Sequence, residues 1–215
     1  AVVKAILLHD EARQPASASL SSYGKLREPV LLLSHLLRAL PQSSSTYTAG
    51  QGNGTVAYYR IGDTSDPSTG IGQTPMRAPS VFNFFRPGYR PPQTQIGAAG
   101  LVSPEMQITS ETTVLQYANA IAQYLHQGGG EWVGGTVGFD VHFDLSQWFS
   151  LTNSPSALMS AVASTLLGQA LPDDVNNEAI ATITAMPATN ASEKTMRIKA
   201  AVLMTVVSPS FIVQQ

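Results

Sequence analysis

The chain contains no cysteine, which excludes disulfides and thiolate metal ligands alike. Charge is scarce: Asp, Glu, Lys and Arg make up 12% of the 215 residues, with a formal net charge of −2. That is about half of the usual ~25% share. The polar surface must therefore be built from Ser, Thr, Gln, Asn and Gly, a composition that suits exported bacterial proteins. No basic run exists, and near-neutral charge argues against a nucleic-acid partner. No apolar run reaches the roughly 18 residues that suggest a membrane span. No Ser stands in a Gly-x-Ser-x-Gly context, so a serine-hydrolase elbow is unsupported. No phosphate-cradling Gly-Lys-Ser/Thr loop occurs, and no internal repeat is visible.

What is present is enough apolar residue, 43% of the chain, for one ordinary globular domain over 1–215 with a real core. The opening, Ala1 to His9, has no Met, no signal-peptide pattern and no capping residue before its apolar stripe. The expectation is a piece of a longer chain, either a processed product or a fragment. The missing N-terminal part would then be a partner of this one.

Residues 1–14 predict a first helix, ended by Pro15. Pro29 fits a first helical position, and Val30, Leu33, Leu37 and Leu40, widened by Leu32 and Leu36, predict a central helix over 29–40. Residues 42–75 form a long polar insertion whose large anchors are Tyr47, Tyr58 and Tyr59, with a short strand expected over 55–61. Ser103-Pro104-Glu105 signals a short turn, followed by a helix from about Ser110 to Gly128. Residues 131–149 alternate in part and suggest an extended segment or hairpin. Three closing helices are expected. Ser154-Pro155 opens the first, which runs to Leu167. Asp173 or Asp174 caps the second. Ser192-Glu193 opens the third, with Met196, Ala200, Leu203 and Val207 inward. Phe211-Ile212-Val213 should dock on the core. The sum is a mainly α fold: an irregular helical domain of about six to seven helices, with long loops and room for one short β-hairpin.

The densest stretch runs from Met76 to Pro92, with three of the seven Phe, three arginines and four prolines. Arg86-Pro87-Gly88-Tyr89 reads as a tight turn, and a short helix from Pro79 through Phe85 is expected. One of Phe82, Phe84 and Phe85 should pack under the 29–40 helix. Arg77, Arg86 and Arg90 beside Tyr89 can bind a phosphate, sulfate or carboxylate, or a partner protein, by forked hydrogen bonds. The alternative is structural: Arg86 or Arg77 tethers the loop to a helix C-terminus, to Glu28 or to Glu105. On this reading Arg86 tethers and Arg90 is the more exposed. A second constellation is Asp140, His142 and Asp144. Extended backbone would aim all three at one face, as a hard-metal or general acid/base set. The alternative is a solvated strand face with Val141 and Phe143 turned to the core. His9, His35 and His126 fall on predicted helices and read as surface or core-edge residues. Trp132 and Trp148 with Tyr47, Tyr58 and Tyr59 form either a sugar-stacking platform or ordinary packing.

Several of these segments together carry a resemblance. Lys25-Leu26-Arg27-Glu28-Pro29-Val30, Gly72-Gln73-Thr74-Pro75, the run Arg77 to Tyr89, Ser103-Pro104-Glu105-Met106-Gln107-Ile108 and the ending Ser208-Pro209-Ser210-Phe211-Ile212-Val213-Gln214-Gln215 are similar to the C-terminal half of the bacterial DUF1800 proteins. The family commonly has Glu where this chain has Ser210, so no role of that acid is carried over. The resemblance implies a largely helical, usually exported protein of unknown function, longer than this chain. It also implies a periplasmic or cell-surface partner that looks like sulfatases and alkaline phosphatases, since the two families' genes often sit together. It supplies no catalytic residue and no cofactor. Two functional expectations follow: a binding or assembly module working with that partner, or part of an exported hydrolase acting on polysaccharide or a sulfated or phosphorylated substrate, with or without a metal.

Overall fold

Helix α3, Pro29–Ala39, begins where the sequence places it. Glu28 is extended (φ −62°, ψ 142°) and Pro29 takes a position whose missing N–H is not needed. Leu40 is again extended and leaves the helix just before Pro41, as a residue preceding proline prefers. Leu32, Leu33 and Leu36 are buried, and Leu40 joins them in the core. The computed structural model describes residues 1–13, 24–44, 59–134 and 138–214. Most of the 42–75 insertion before Tyr59, including Tyr47, Tyr58 and the first part of the expected 55–61 strand, lies outside these residues.

Among the described residues the protein is mainly α, with nine α-helices, two short 3₁₀ helices and five short strands. Ahead of α3 are α1 (Val2–Leu7) and α2 (Asp10–Arg13). The expected single helix over 1–14 is therefore broken at Leu8 and His9. Helix α1 buries none of its residues, and Val2, Val3, Ile6 and Leu7 are exposed. Later come α4 (Gln95–Ala98), α5 (Glu111–Gln127), α6 (Pro155–Leu167), α7 (Asp173–Ala185), α8 (Ala191–Val206) and α9 (Pro209–Ile212). The 3₁₀ helices are Pro104–Ile108 and Ser146–Leu151.

The helix ends follow their residues. A capping box of Ser110 and Thr113 opens α5. Gly168 in the left-handed region (φ 71°) closes α6. The opening of α8 is corrected by two residues. Asn190, not Ser192, is the cap, its side chain accepting from the Glu193 amide, while the Glu193 carboxylate accepts from Thr189. Neither Asp173 nor Asp174 caps α7; both lie in its first turn, where carboxylates offset the helix dipole.

Helix α8 packs against both α5 and α6, around Ile121, Leu158, Met159, Val162, Ile198, Ala201 and Val202, all essentially removed from solvent. Each large side chain so buried contributes about 1.5–3 kcal/mol. The stripe expected for α8 is shifted. Met196, Ala200, Leu203 and Val207 are half-buried, and the fully covered face runs through Ile198, Ala201, Val202, Thr205 and Val206. Arg197 is buried on the same helix. It donates to the Thr152 carbonyl at 2.7 Å and to the Met186 carbonyl. These carbonyls cap the 3₁₀ helix Ser146–Leu151 and α7, so one cation serves two helix C-termini.

Two small antiparallel sheets close the fold. Strand β1 (Lys25–Leu26) pairs with β5 (Val213–Gln214). Strands β2 (Gln42–Ser44), β4 (Gly138–Phe143) and β3 (Gly129–Gly134) form the second sheet in the order β2-β4-β3. The hairpin expected within 131–149 is β3-β4, beginning two residues earlier. It needs its glycines. Gly130 has φ 82°, and a Cβ there would run into the Arg60 carbonyl.

The C-terminal tail docks as expected. Phe211 is fully buried, with the His35 ring 4.9 Å away and the Arg27 guanidinium 5.7 Å from its centroid. Arginine can only donate, so the 2.9 Å contact from Arg27 Nη1 makes His35 Nδ1 an acceptor. The ring proton then sits on Nε2. Burial, and next the Arg27 charge, hold the His35 pKa below 6.5. A base with a depressed folded pKa contributes stability that is present above the unfolded value and lost as pH falls through the folded one. The melting temperature should therefore decline as pH drops below about 6.5. Melts across that range should show a shallower decline in His35→Gln than in the parent; identical slopes would mean that His35 is not held neutral.

Candidate partner-binding loop

Residues 59–110 contain little regular structure but many fixed bonds. Asp63 and Asp66 each accept from a Ser amide and hydroxyl two residues on, at 2.6–2.9 Å, the signature of Asx turns. Those bonds hold both carboxyls below their usual pKa. The Thr64 hydroxyl bonds to the Gln73 carbonyl and the Thr74 hydroxyl, both at 2.6 Å, and Ile71 plugs the core.

Gln73 is the main fastener. Its side-chain oxygen accepts from the Val30 amide at 3.1 Å, and its amide donates to Glu28 at 2.6 Å. It thereby satisfies an otherwise orphan N–H in the first turn of α3. Lys25 pairs with Glu105 at 3.1 Å. The Gln107 side chain accepts from the Arg86 amide at 2.7 Å. Arg27 receives the tail, its amide donating to the Ile212 carbonyl at 2.9 Å. The segments 25–30, 72–75, 103–108 and 208–214 thus meet at the start of α3 and bind the 77–89 run to it.

The Arg86-Pro87-Gly88-Tyr89 turn is present, closed by a 3.1 Å bond from the Tyr89 amide to the Arg86 carbonyl. The expected helix over 79–85 is absent. Asn83 adopts φ 68°, a conformation that cannot propagate a right-handed helix. The expected phenylalanine under α3 is also corrected. Phe82 is 72% exposed, Phe84 and Phe85 are half-buried, and none belongs to the core cluster. The ring against α3 is Phe211.

The arginines divide differently from expectation. Arg77 is the tether, its Nη1 2.7 Å from Asp63. Arg86 is held through its backbone, and its side chain, like that of Arg90, is exposed. Among the described residues neither of these two lies within ion-pair distance of a carboxylate. Tyr89 is half-buried, and its carbonyl accepts from Ser103 at 2.9 Å. Around them Met76 is fully exposed, Val81 95% and Phe82 72%. The loop therefore presents apolar side chains and two available guanidiniums on a backbone fixed from below.

Asp140, His142 and Asp144 have separate employments. Asp140 is fully buried, accepting from the Ser44 hydroxyl at 2.6 Å and the Arg60 amide at 2.8 Å. It is neither a solvated face nor open to a ligand at those oxygens. His142 donates through Nε2 to the Phe139 carbonyl at 2.8 Å. Asp144 is exposed and accepts from Ser146, which holds its carboxyl below the usual range. Among the described residues no group of three His, Asp or Glu side chains is placed to hold a metal ion. The neighbouring core does follow the alternative reading: Val141 is buried and Phe143 packs towards Tyr124.

His142 and Asp144 do share a hollow of about 360 Å³ with His126, Ser146, Thr195 and Lys199. Lys199 reaches the His126 carbonyl at 3.3 Å, and burial lowers its pKa. Nothing in the local sequence marked Lys199. It enters the hollow because α5 ends beside α8. Of the aromatic platform, Tyr47 and Tyr58 lie outside the described residues, and the two tryptophans differ. Trp148 is buried, whereas Trp132 is exposed and stands edge-on to Phe139 at 5.0 Å.

A sequence model described as "Protein of unknown function (DUF1800)" matches residues 1–213. No curated protein and no solved structure matches the chain.

Proposed function

Given that the chain belongs to the DUF1800 family, we propose that it is an exported binding or assembly module that docks a periplasmic or cell-surface protein through the loop 76–90. The observation that carries this reading is the exposure of Met76, Val81 and Phe82 on a loop that the surrounding bonds leave little freedom. An ordered surface loses less conformational entropy on binding than a flexible one. Aromatic anchors with nearby arginines are the residue types that dominate protein interfaces. The matching partner surface is an apolar pocket with an acidic rim facing Arg86 and Arg90. The sulfatase- or phosphatase-like exported protein suggested by the family resemblance is the partner to try first.

The test is calorimetric titration of that purified partner with the parent chain and with Phe82→Ser. Because Phe82 is exposed, its replacement leaves the core untouched. Saturable binding weakened at least about tenfold by Phe82→Ser supports the reading. No binding, or equal binding by the variant, overturns it.

A second reading, part of an exported hydrolase, is favoured by one feature, the hollow holding His142, Asp144 and Lys199. Turnover of a sulfate or phosphate ester that Lys199→Met abolishes while the fold persists would support it. Unchanged turnover in that variant would refute it.

A further inference from the structure

We propose that a second hollow, beside α3, is an oxyanion site for the carboxylate or phosphate group of a small ligand. It has a volume of about 520 Å³ and is lined by Arg27, Ser34, His35, Arg38, Thr165 and Gln214 among others. Two guanidiniums line it, and among the described residues no carboxylate does. Among the described residues neither arginine lies within ion-pair distance of an acid. Two arginines lining one hollow, with no neutralising acid among the described residues, are a standing attraction for an anion.

Arg27 is also pre-organised. Its Nη1 is spent on His35, its guanidinium lies over Phe211, and its backbone amide is fixed to the Ile212 carbonyl. An arginine has five N–H donors, so several remain after the His35 bond. His35 accepts from Arg27 as a neutral ring, so it neither competes as a cation nor supplies a negative charge. Arg38 stands in the last turn of α3, one turn beyond His35, and supplies the second fork. Ser34, Thr165 and Gln214 bring uncharged polar groups to the rim. This site is separate from the loop 76–90, and neither proposal depends on the other.

The experiment titrates the full chain with inorganic phosphate, with acetate and with chloride at matched ionic strength. Heat and the His35 ring resonances are read together. Saturable binding of phosphate, of acetate or of both, moving the His35 signals, is the expected result, and chloride should move neither. Phosphate alone or acetate alone identifies which source of the oxyanion the site takes. Arg38→Gln should weaken binding at least about tenfold, whereas Lys4→Gln removes the same charge elsewhere and should leave it unchanged. Arg27→Gln is not used for this purpose, because Arg27 also supports Phe211. Absence of saturable binding by both oxyanions overturns the proposal. So does equal binding by a folded Arg38→Gln protein.

Discussion

Replacing Phe211 by Ala should destabilise the protein by about 3–5 kcal/mol, the usual range for deleting a buried aromatic ring together with the cavity it leaves. Phe211 is fully buried, its ring meets His35 and Arg27, and it anchors the tail whose next residues pair with β1. Its removal therefore also loosens Arg27 and the β1-β5 pair. For a chain of this length the loss corresponds to a fall in melting temperature on the order of 10 °C. Phe82→Ala is the internal comparison. Phe82 is exposed, and a surface replacement of this kind should change stability by no more than about 0.5 kcal/mol. Chemical denaturation of the two variants reads both values. Equal losses would mean that the core is not closed by the tail.

The second large effect is expected at Asp140. Its carboxylate is buried and accepts from the Ser44 hydroxyl and the Arg60 amide. Asp140→Ala takes the acceptor away from both of these part-buried bonds, at about 1–3 kcal/mol for each. A total of roughly 3–5 kcal/mol is expected, and the β2-β4 pairing and the Arg60 segment should loosen first. Asp140→Asn keeps the size and one acceptor oxygen, so it should lose clearly less. The two variants also separate fastening from chemistry. A structural carboxylate shows this graded loss of stability. If Asp140→Ala melts like the parent but loses an activity or a bound metal, the residue belongs to a reaction instead.

Much of the helical framework was legible because its signals are local. Pro29, Ser110, Pro155 and Gly168 each fix a helix end through their own φ or their own side chain. The buried face of α8 was misplaced because Arg197 and Thr205 are covered along with its apolar residues. A pattern search that counts only hydrophobic spacing selects Met196, Ala200, Leu203 and Val207 instead. The helix expected over 79–85 fails at one residue, Asn83, which adopts the left-handed region in a local turn closed by its amide on the Ser80 carbonyl. The motif segments were visible as sequence, yet their use was not. Nothing near Gln73 announces Glu28 and Val30 as its partners more than forty residues away. Alternation groups Asp140, His142 and Asp144 on one extended face, but β4 ends at Phe143, before Asp144. The pattern could not show that a half-buried serine hydroxyl and a main-chain amide would claim Asp140.

The segments 25–30, 72–75, 103–108 and 208–214 act as fasteners, holding a loop with little regular structure in one shape so that its apolar side chains face outward. Residue-resolved amide hydrogen exchange tests this most directly. The amides of Val30, Arg86, Tyr89 and Ser103 each donate within the fastening set, so they should exchange far more slowly than an unstructured chain. In Gln73→Ala, Val30 should lose its protection first, with Arg86 and Tyr89 following as the loop opens. Exchange at unstructured rates for Arg86, Tyr89 and Ser103 in the parent protein would contradict the account, because a loop that is not held offers no preformed surface to a partner.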